Sequence, residues 1–196
     1  MRVIFYCWFF SSSLVLNAAE QVTFANRLNV AAIERTYQYV KYDGRYVVID
    51  YPGGDVPADI GVCTDVIIRS YRALGIDLQQ LVHEDMKANF SVYPSKRIWG
   101  LNKPDPNIDH RRVPNLQTFF SRHGQVLEIT NIVEDYKPGD LVTWMLPGNL
   151  PHIGIVSDRR TLNNMPLIVH NIGAGPKLES MLFNYPITGH YRFSPE

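Results

Sequence analysis

The residues with the most chemistry to offer in this chain are Cys63, His152 and His170. Of two cysteines, Cys7 sits in an apolar N-terminal run that reads as a leader, so Cys63 is left without an intramolecular disulfide partner. A lone thiol in an oxidising compartment is a liability unless it is buried or used. Turning about 100° per residue from Cys63 puts Val66, Ile67, Ser70 and Leu74 on its face, with Thr64, Asp65, Arg69 and Arg72 elsewhere. The thiol therefore falls in the first turn of a helix, on the side facing the rest of the fold. Two readings follow: a small hydrophobe packed under a helix, or a thiol whose pKa is lowered by unpaired N–H groups and the helix dipole.

The histidines bear on that choice. Alternation through Pro151-His152-Ile153-Gly154-Ile155-Val156 puts His152, Gly154 and Val156 on one strand face, and in Leu167 to Ile172 His170 shares a face with Ile168 and Ile172. Pairing Val156 with Pro166 would set His152 opposite His170, and a slip of one residue would substitute Asn171. A helix-start cysteine facing His and a second polar group is the minimal machinery of thiol catalysis: one ring takes the thiol proton, and the second group holds that ring's tautomer. The same three residues could instead ligate zinc with one position open.

Positioning them requires an α+β layout, in which N-terminal helices pack on an antiparallel β-sheet. Helices are expected over Leu28–Tyr39, Val66–Leu74 (closed by Gly75), Leu78–Phe90 and Asn115–His123. Strands are expected at Tyr46–Asp50, Val126–Thr130, Leu141–Met145, His152–Val156, Leu167–Ile172 and His190–Phe193. Tyr93 to Pro114, with its four prolines, reads as an irregular excursion over the surface.

The first 19 residues read as an address: Arg2, an apolar run from Val3 to Leu16, then Asn17-Ala18-Ala19, with a cut after Ala18 or Ala19. The run is shorter than the roughly 20 residues of a membrane span, although an uncleaved anchor is an open alternative. Residues 20–196 then form a single domain with 18 basic and 19 acidic side chains, a balance that gives no electrostatic case for nucleic acid or an anionic membrane. Export to the periplasm or beyond, a monomer, and no cofactor or metal are the accompanying expectations.

The ordered motifs carry a resemblance. Cys63, Pro138-Gly139-Asp140-Leu141-Val142, His152-Ile153-Gly154-Ile155 and Ile168-Val169-His170 occur in the order found in NlpC-type papain-like cysteine peptidases, which cut cell-wall peptides. Tyr51-Pro52-Gly53-Gly54-Asp55, Gly61-Val62-Cys63-Thr64-Asp65, Asp109 to Leu116, His170-Asn171-Ile172-Gly173 and Gly189-His190-Tyr191-Arg192 resemble the bacterial domain-of-unknown-function family 1287 over nearly the whole mature chain. The resemblance implies a papain-like, NlpC-like fold, Cys63 as nucleophile, His152 as base with His170 behind it, and peptidoglycan stem peptides as partner and substrate. Those peptidases usually read Asp-Cys-Ser-Gly, whereas this chain has Val62-Cys63-Thr64-Asp65, so bond specificity does not carry over.

Other residues divide between function and packing. Asp109-His110-Arg111-Arg112 reads either as a solvated loop with local ion pairs or as a clamp for peptide carboxylates, with Arg111, Arg112, Asp65 and Asn171 as substrate-binding candidates. Gly53-Gly54-Asp55 reads as a turn, His83 as solvated, His123 as a helix end, and His190, Trp144 and Tyr191 as structural. The resulting expectation is an exported cysteine hydrolase acting on an amide bond of peptidoglycan peptides. Its rivals are other thiol amidase or acyl-transfer chemistry, a zinc site, and a non-catalytic wall-binding module.

Overall fold

The computed structural model describes residues 12–195, with side chains from residue 24 onward. Helix α1 (Ser12–Arg35) leads through a parallel two-strand ladder, β1 (Lys41–Tyr42) and β2 (Ile60–Gly61), into α2 (Cys63–Arg72), α3 (Leu78–Asn89), α4 (Ser95–Trp99) and α5 (Val113–His123). Strands β3 (Gln125–Val126), β4 (Leu141–Leu146), β5 (Leu150–Arg160), β6 (Pro166–His170), β7 (Lys177–Glu179) and β8 (Ile187–Arg192) complete the chain. They form one antiparallel sheet in the order β3-β8-β4-β5-β6-β7. The α+β layout expected from the sequence is the one observed.

Strand alternation sorts the core into two layers. Leu141, Ile153, Ile155, Val169 and Tyr191 face the helices, where they meet Phe24, Leu28 and Ala32 of α1, Val66, Ile67 and Tyr71 of α2, and Phe119 and Phe120 of α5. Val142, Trp144, Val156 and Ile168 face the other way, covered by Tyr136, Met181 and Leu182 from the connecting segments. Each fully buried large apolar side chain stabilises the fold by roughly 1.5–3 kcal/mol. Tyr71 adds a polar tie, its hydroxyl donating to the carbonyl of Phe193 at 2.8 Å.

Several expectations shift. Helix α1 stops at Arg35 rather than Tyr39, because Thr36 turns its hydroxyl and its N–H onto the Ile33 carbonyl and tightens the last turn. Residues 46–50 form no strand: the Ile49 N–H is taken by the Asn107 side chain instead of a neighbouring strand. Residues 93–114 are not a surface excursion, since Ser95, Asp109, His110 and Arg111 are all buried and α4 lies within the segment. Of the expected leader, residues 1–11 lie outside the described residues, and the α1 backbone is helical from Ser12 through the expected cut. No helix among the described residues is long and apolar enough to cross a membrane.

Candidate active site

Cys63 is the first residue of α2, and Val62 before it is extended. The Asp65 carboxylate reaches back to accept the Val62 N–H at 2.6 Å, the side-chain half of a capping box that fixes where the helix begins. The thiol is 5% exposed and packs with the helix-facing layer. The backbone N–H groups of Ile153, of Thr64 and of Cys63 itself lie close enough to the sulfur to favour its anion. These donors favour a thiolate, and so does the helix start. Burial outweighs them and pushes the thiol up to about 12. Of the two sequence readings of the thiol, the resting site does not show the lowered pKa, because removal from water costs the anion more than the N–H groups return.

The contact with Ile153 brings the sulfur to β5 beside His152. Strand β6 ends at His170, and in the continued register Ile153 would face Asn171. Asn171 has left the sheet, its side-chain amide donating to the Gly61 carbonyl at 3.4 Å. The thiol thus packs with Ile153 in the helix-facing layer, while the His152 ring lies on the other face of β5 beside Trp144.

His152 Nε2 lies 3.0 Å from His170 Nδ1, and His170 Nε2 lies 3.1 Å from Glu179 Oε2. The two strands pair with Val156 opposite Ile168, two residues away from the expected register. A slip of two keeps every side chain on its face, so the histidines meet as diagonal rather than directly opposed neighbours. Gly154 falls opposite His170 in that register, and a Cβ there would lie 2.6 Å from Ile168 Cγ2 and 3.2 Å from His170 Cβ. The glycine of His152-Ile153-Gly154-Ile155 is what lets β6 bring its imidazole this close. Burial, with the Trp144 ring 6.0 Å from that of His152, holds His152 down to about 3; the neighbouring His170 adds to the effect. Burial also lowers His170, and Glu179 pulls in the opposite direction. The resting pair is a neutral thiol and a neutral imidazole.

Glu179 escaped the sequence reading, since β7 is three residues long and Lys177-Leu178-Glu179 has no strand signature. Tyr42 was missed as well: burial first, and then the nearby acidic groups of Cys63 and Asp65, raise its hydroxyl. As for metals, His152 and His170 turn a nitrogen each on one another, and among the described residues no group of three or more His, Cys, Asp or Glu is placed to hold an ion.

With this geometry in view, comparison with known proteins places the chain. The family described as "Domain of unknown function (DUF1287)" matches residues 29–193. The chain belongs to this family. A relative from Escherichia coli strain K12, "Uncharacterized protein YijF", is 54% identical over 152 residues, 78% of this chain and 73% of the relative. Among solved structures, NlpC1 and NlpC2 from Trichomonas vaginalis are similar at TM-scores of 0.48 and 0.46, with 16% and 14% identity over 88% of this chain. The chain spans less than half of each, 45% and 47% of their lengths.

The DUF1287 motifs outside the dyad turn out to be braces. Asp65 and Arg111, expected to hold substrate, hold each other: Arg111 Nε and Nη2 donate to the two Asp65 oxygens at 2.9 and 3.0 Å. Their side chains are 3% and 2% exposed, and the remaining Arg111 donors reach the carbonyls of Arg45 and Asp43. The Thr64 hydroxyl donates to the Arg111 carbonyl, which fastens the same segment to α2. Arg112 is half-withdrawn, bonded to Asp109 at 3.1 Å and lying over the Trp99 ring at 4.2 Å. Asn171 is fully buried, bonded to Gly61 and to the Gly173 N–H. The loop 109–112 is thus neither solvated nor a clamp, because its charges are consumed inside the fold. The Pro138-Gly139-Asp140 turn ends in a buried carboxylate that accepts from Arg192 at 2.7 and 3.0 Å and pairs with His190 at 2.9 Å, in accord with a structural His190. His83 is only partly solvated: its Nδ1 is buried with no hydrogen-bond partner among the described residues, and its ring meets Tyr51 edge-on.

Proposed function

We propose that this chain is an exported cysteine hydrolase that cleaves an amide bond in peptidoglycan stem peptides, with Cys63 as nucleophile and His152 as base. The observation that carries the reading is a helix-start sulfur packed in one cluster with Ile153, the strand residue next to His152, and His170 hydrogen-bonded to the His152 ring at 3.0 Å. The order of Cys63, the Pro-Gly-Asp turn and the two histidine strands, as in NlpC-type peptidases, supports the choice of substrate. The apolar N-terminal run supports export.

Because thiol and imidazole are both neutral at rest, the proton leaves sulfur as the substrate carbonyl is attacked. His152 takes that proton while the sulfur bonds to the carbonyl carbon, and the oxyanion is met by the N–H groups that already face the sulfur. Collapse breaks the C–N bond, and the amine leaves with the proton from His152. Water, deprotonated by the same ring, then hydrolyses the thioester and restores the thiol.

The test is release of soluble muropeptides from purified sacculi. Cys63→Ala is expected to abolish release while far-UV circular dichroism and thermal unfolding stay as in the parent. Undiminished release by Cys63→Ala would end the thiol mechanism, and loss of activity to a chelator with recovery on added zinc would replace it. Binding to sacculi without fragment release would leave the wall-binding rival.

A further inference from the structure

Glu179 ends a buried line of polar atoms whose direction follows from what each group is able to donate. A carboxylate has only acceptors, so the 3.1 Å contact requires the proton on His170 Nε2. A neutral His170 then carries a bare lone pair on Nδ1, and the 3.0 Å contact requires His152 Nε2 to be the donor. That leaves His152 Nδ1 as the unprotonated nitrogen, and it has no hydrogen-bond partner among the described residues. The reverse polarity would strand a proton on the nitrogen needed as base and set two lone pairs against each other at Glu179.

We propose that Glu179 is a positioning residue which, through His170, holds His152 in the tautomer with a free Nδ1; the role in catalysis rests on the hydrolase reading above. Neither the thiol nor the scissile bond is touched by Glu179, which acts two hydrogen bonds away. Its side chain is 43% exposed. The charged and titratable groups around His170 are His152 on β5 and Glu179 and Lys177 on β7, with Lys177 Nζ 3.9 Å from Glu179 Oε1.

Two substitutions separate the polarity of Glu179 from its charge. Glu179→Gln keeps an acceptor oxygen, so the tautomer is expected to persist and the turnover number to fall by roughly tenfold at most, with the acid limb moving to lower pH as His170 loses its anionic partner. Glu179→Lys offers only donors, which turns His170 and then His152 around; turnover is expected to fall on the order of a thousandfold, the scale on which a wrong imidazole tautomer acts. Long-range proton–nitrogen NMR of the full-length 15N-labelled protein reads the tautomers directly and without substrate. The expected wild-type pattern has protonated Nε2 on both rings, and Glu179→Lys is expected to move both protons to Nδ1. A wild-type His152 protonated on Nδ1 would overturn the proposal even if the lysine variant does not fold, and so would unchanged tautomers and turnover in a folded Glu179→Lys. Those results would leave a Cys63-dependent activity intact. Persistent activity in Cys63→Ala with the expected tautomers would instead sink the hydrolase reading alone.

Discussion

Replacing Arg111 with alanine is the sharpest probe of how the nucleophile is held. The Asp65–Arg111 pair is almost completely shielded from water, so solvent screening does not discount it. Arg111→Ala leaves the Asp65 carboxylate buried with the Val62 N–H as its remaining partner and strips a donor from each of the Arg45 and Asp43 carbonyls. Removing one member of a buried pair costs about 3–5 kcal/mol, a large share of the 5–15 kcal/mol that holds a domain together. Asp65→Leu with Arg111→Met removes both charges and is expected to cost less than either single change, giving a coupling of at least about 2 kcal/mol in the double-mutant cycle. Urea unfolding followed by tryptophan fluorescence reads these values, with an unchanged slope confirming that stability alone has moved. Since the same pair ties the segment around Asp43 and the start of α2, native-state alkylation of Cys63 should also quicken in Arg111→Ala. A cost below about 1 kcal/mol would mean that the pair behaves as a solvated surface contact, and a double variant no better than the singles would mean that packing rather than charge sets the value.

Three further outcomes follow from the same geometry. Because burial holds His152 down to about 3, its base form persists into acid, and the acid limb of kcat/KM for muropeptide release should lie below pH 5; a limb near 6.5 would place the ring in water. Gly154→Ala forces a methyl to within 3.0 Å of the Val169 carbonyl as well as against Ile168, and should cost about 1–3 kcal/mol, with kcat falling about 100-fold as His170 is pushed aside; unaltered kcat would detach the His170 position from catalysis. His110 is buried with an unpartnered Nδ1 and held down to about 4 by burial first and Arg111 second. The unfolded chain therefore takes up a proton near 6.5 that the folded chain refuses until about 4, so stability falls as pH drops through that window by about 3 kcal/mol, and His110→Gln should flatten that part of the profile in chemical denaturation across pH.

What the sequence discloses here is local periodicity, and what it conceals is mostly pairing over distance. Cys63 at a helix start and the shared strand face of His152, Gly154 and Val156 both follow from spacing and are found, whereas His152 directly opposite His170 is not. The register was displaced because β5 runs on to Arg160, which pairs with Pro166 where Val156 was expected; the irregularity between Val156 and Arg160 takes back part of that shift, and the net displacement of two residues left the faces unchanged. Residues 46–50 are as rich in β-branched and aromatic side chains as a strand but lie beside Asn107, and no pattern within that stretch could reveal that a side chain from another segment would satisfy its backbone. The charged run Asp109 to Arg112 looked solvated because charge density usually means exposure. Its fate was set by Asp65, 46 residues earlier, which offers a carboxylate inside the fold. Glu179 was hidden for the opposite reason: its strand is too short to show a period, and only its place beside His170 distinguishes it from any other surface acid.

The arrangement of the sheet has a consequence for how the molecule behaves among its own copies. The long strands β4, β5 and β8 are all interior, while the two margins are β3, two residues long, and β7, three. A neighbouring chain seeking to extend the sheet by backbone hydrogen bonding would find only short marginal strands, and on the β7 side the charges of Lys177 and Glu179 within it. A concentrated solution of this protein should therefore resist fibril growth through the sheet.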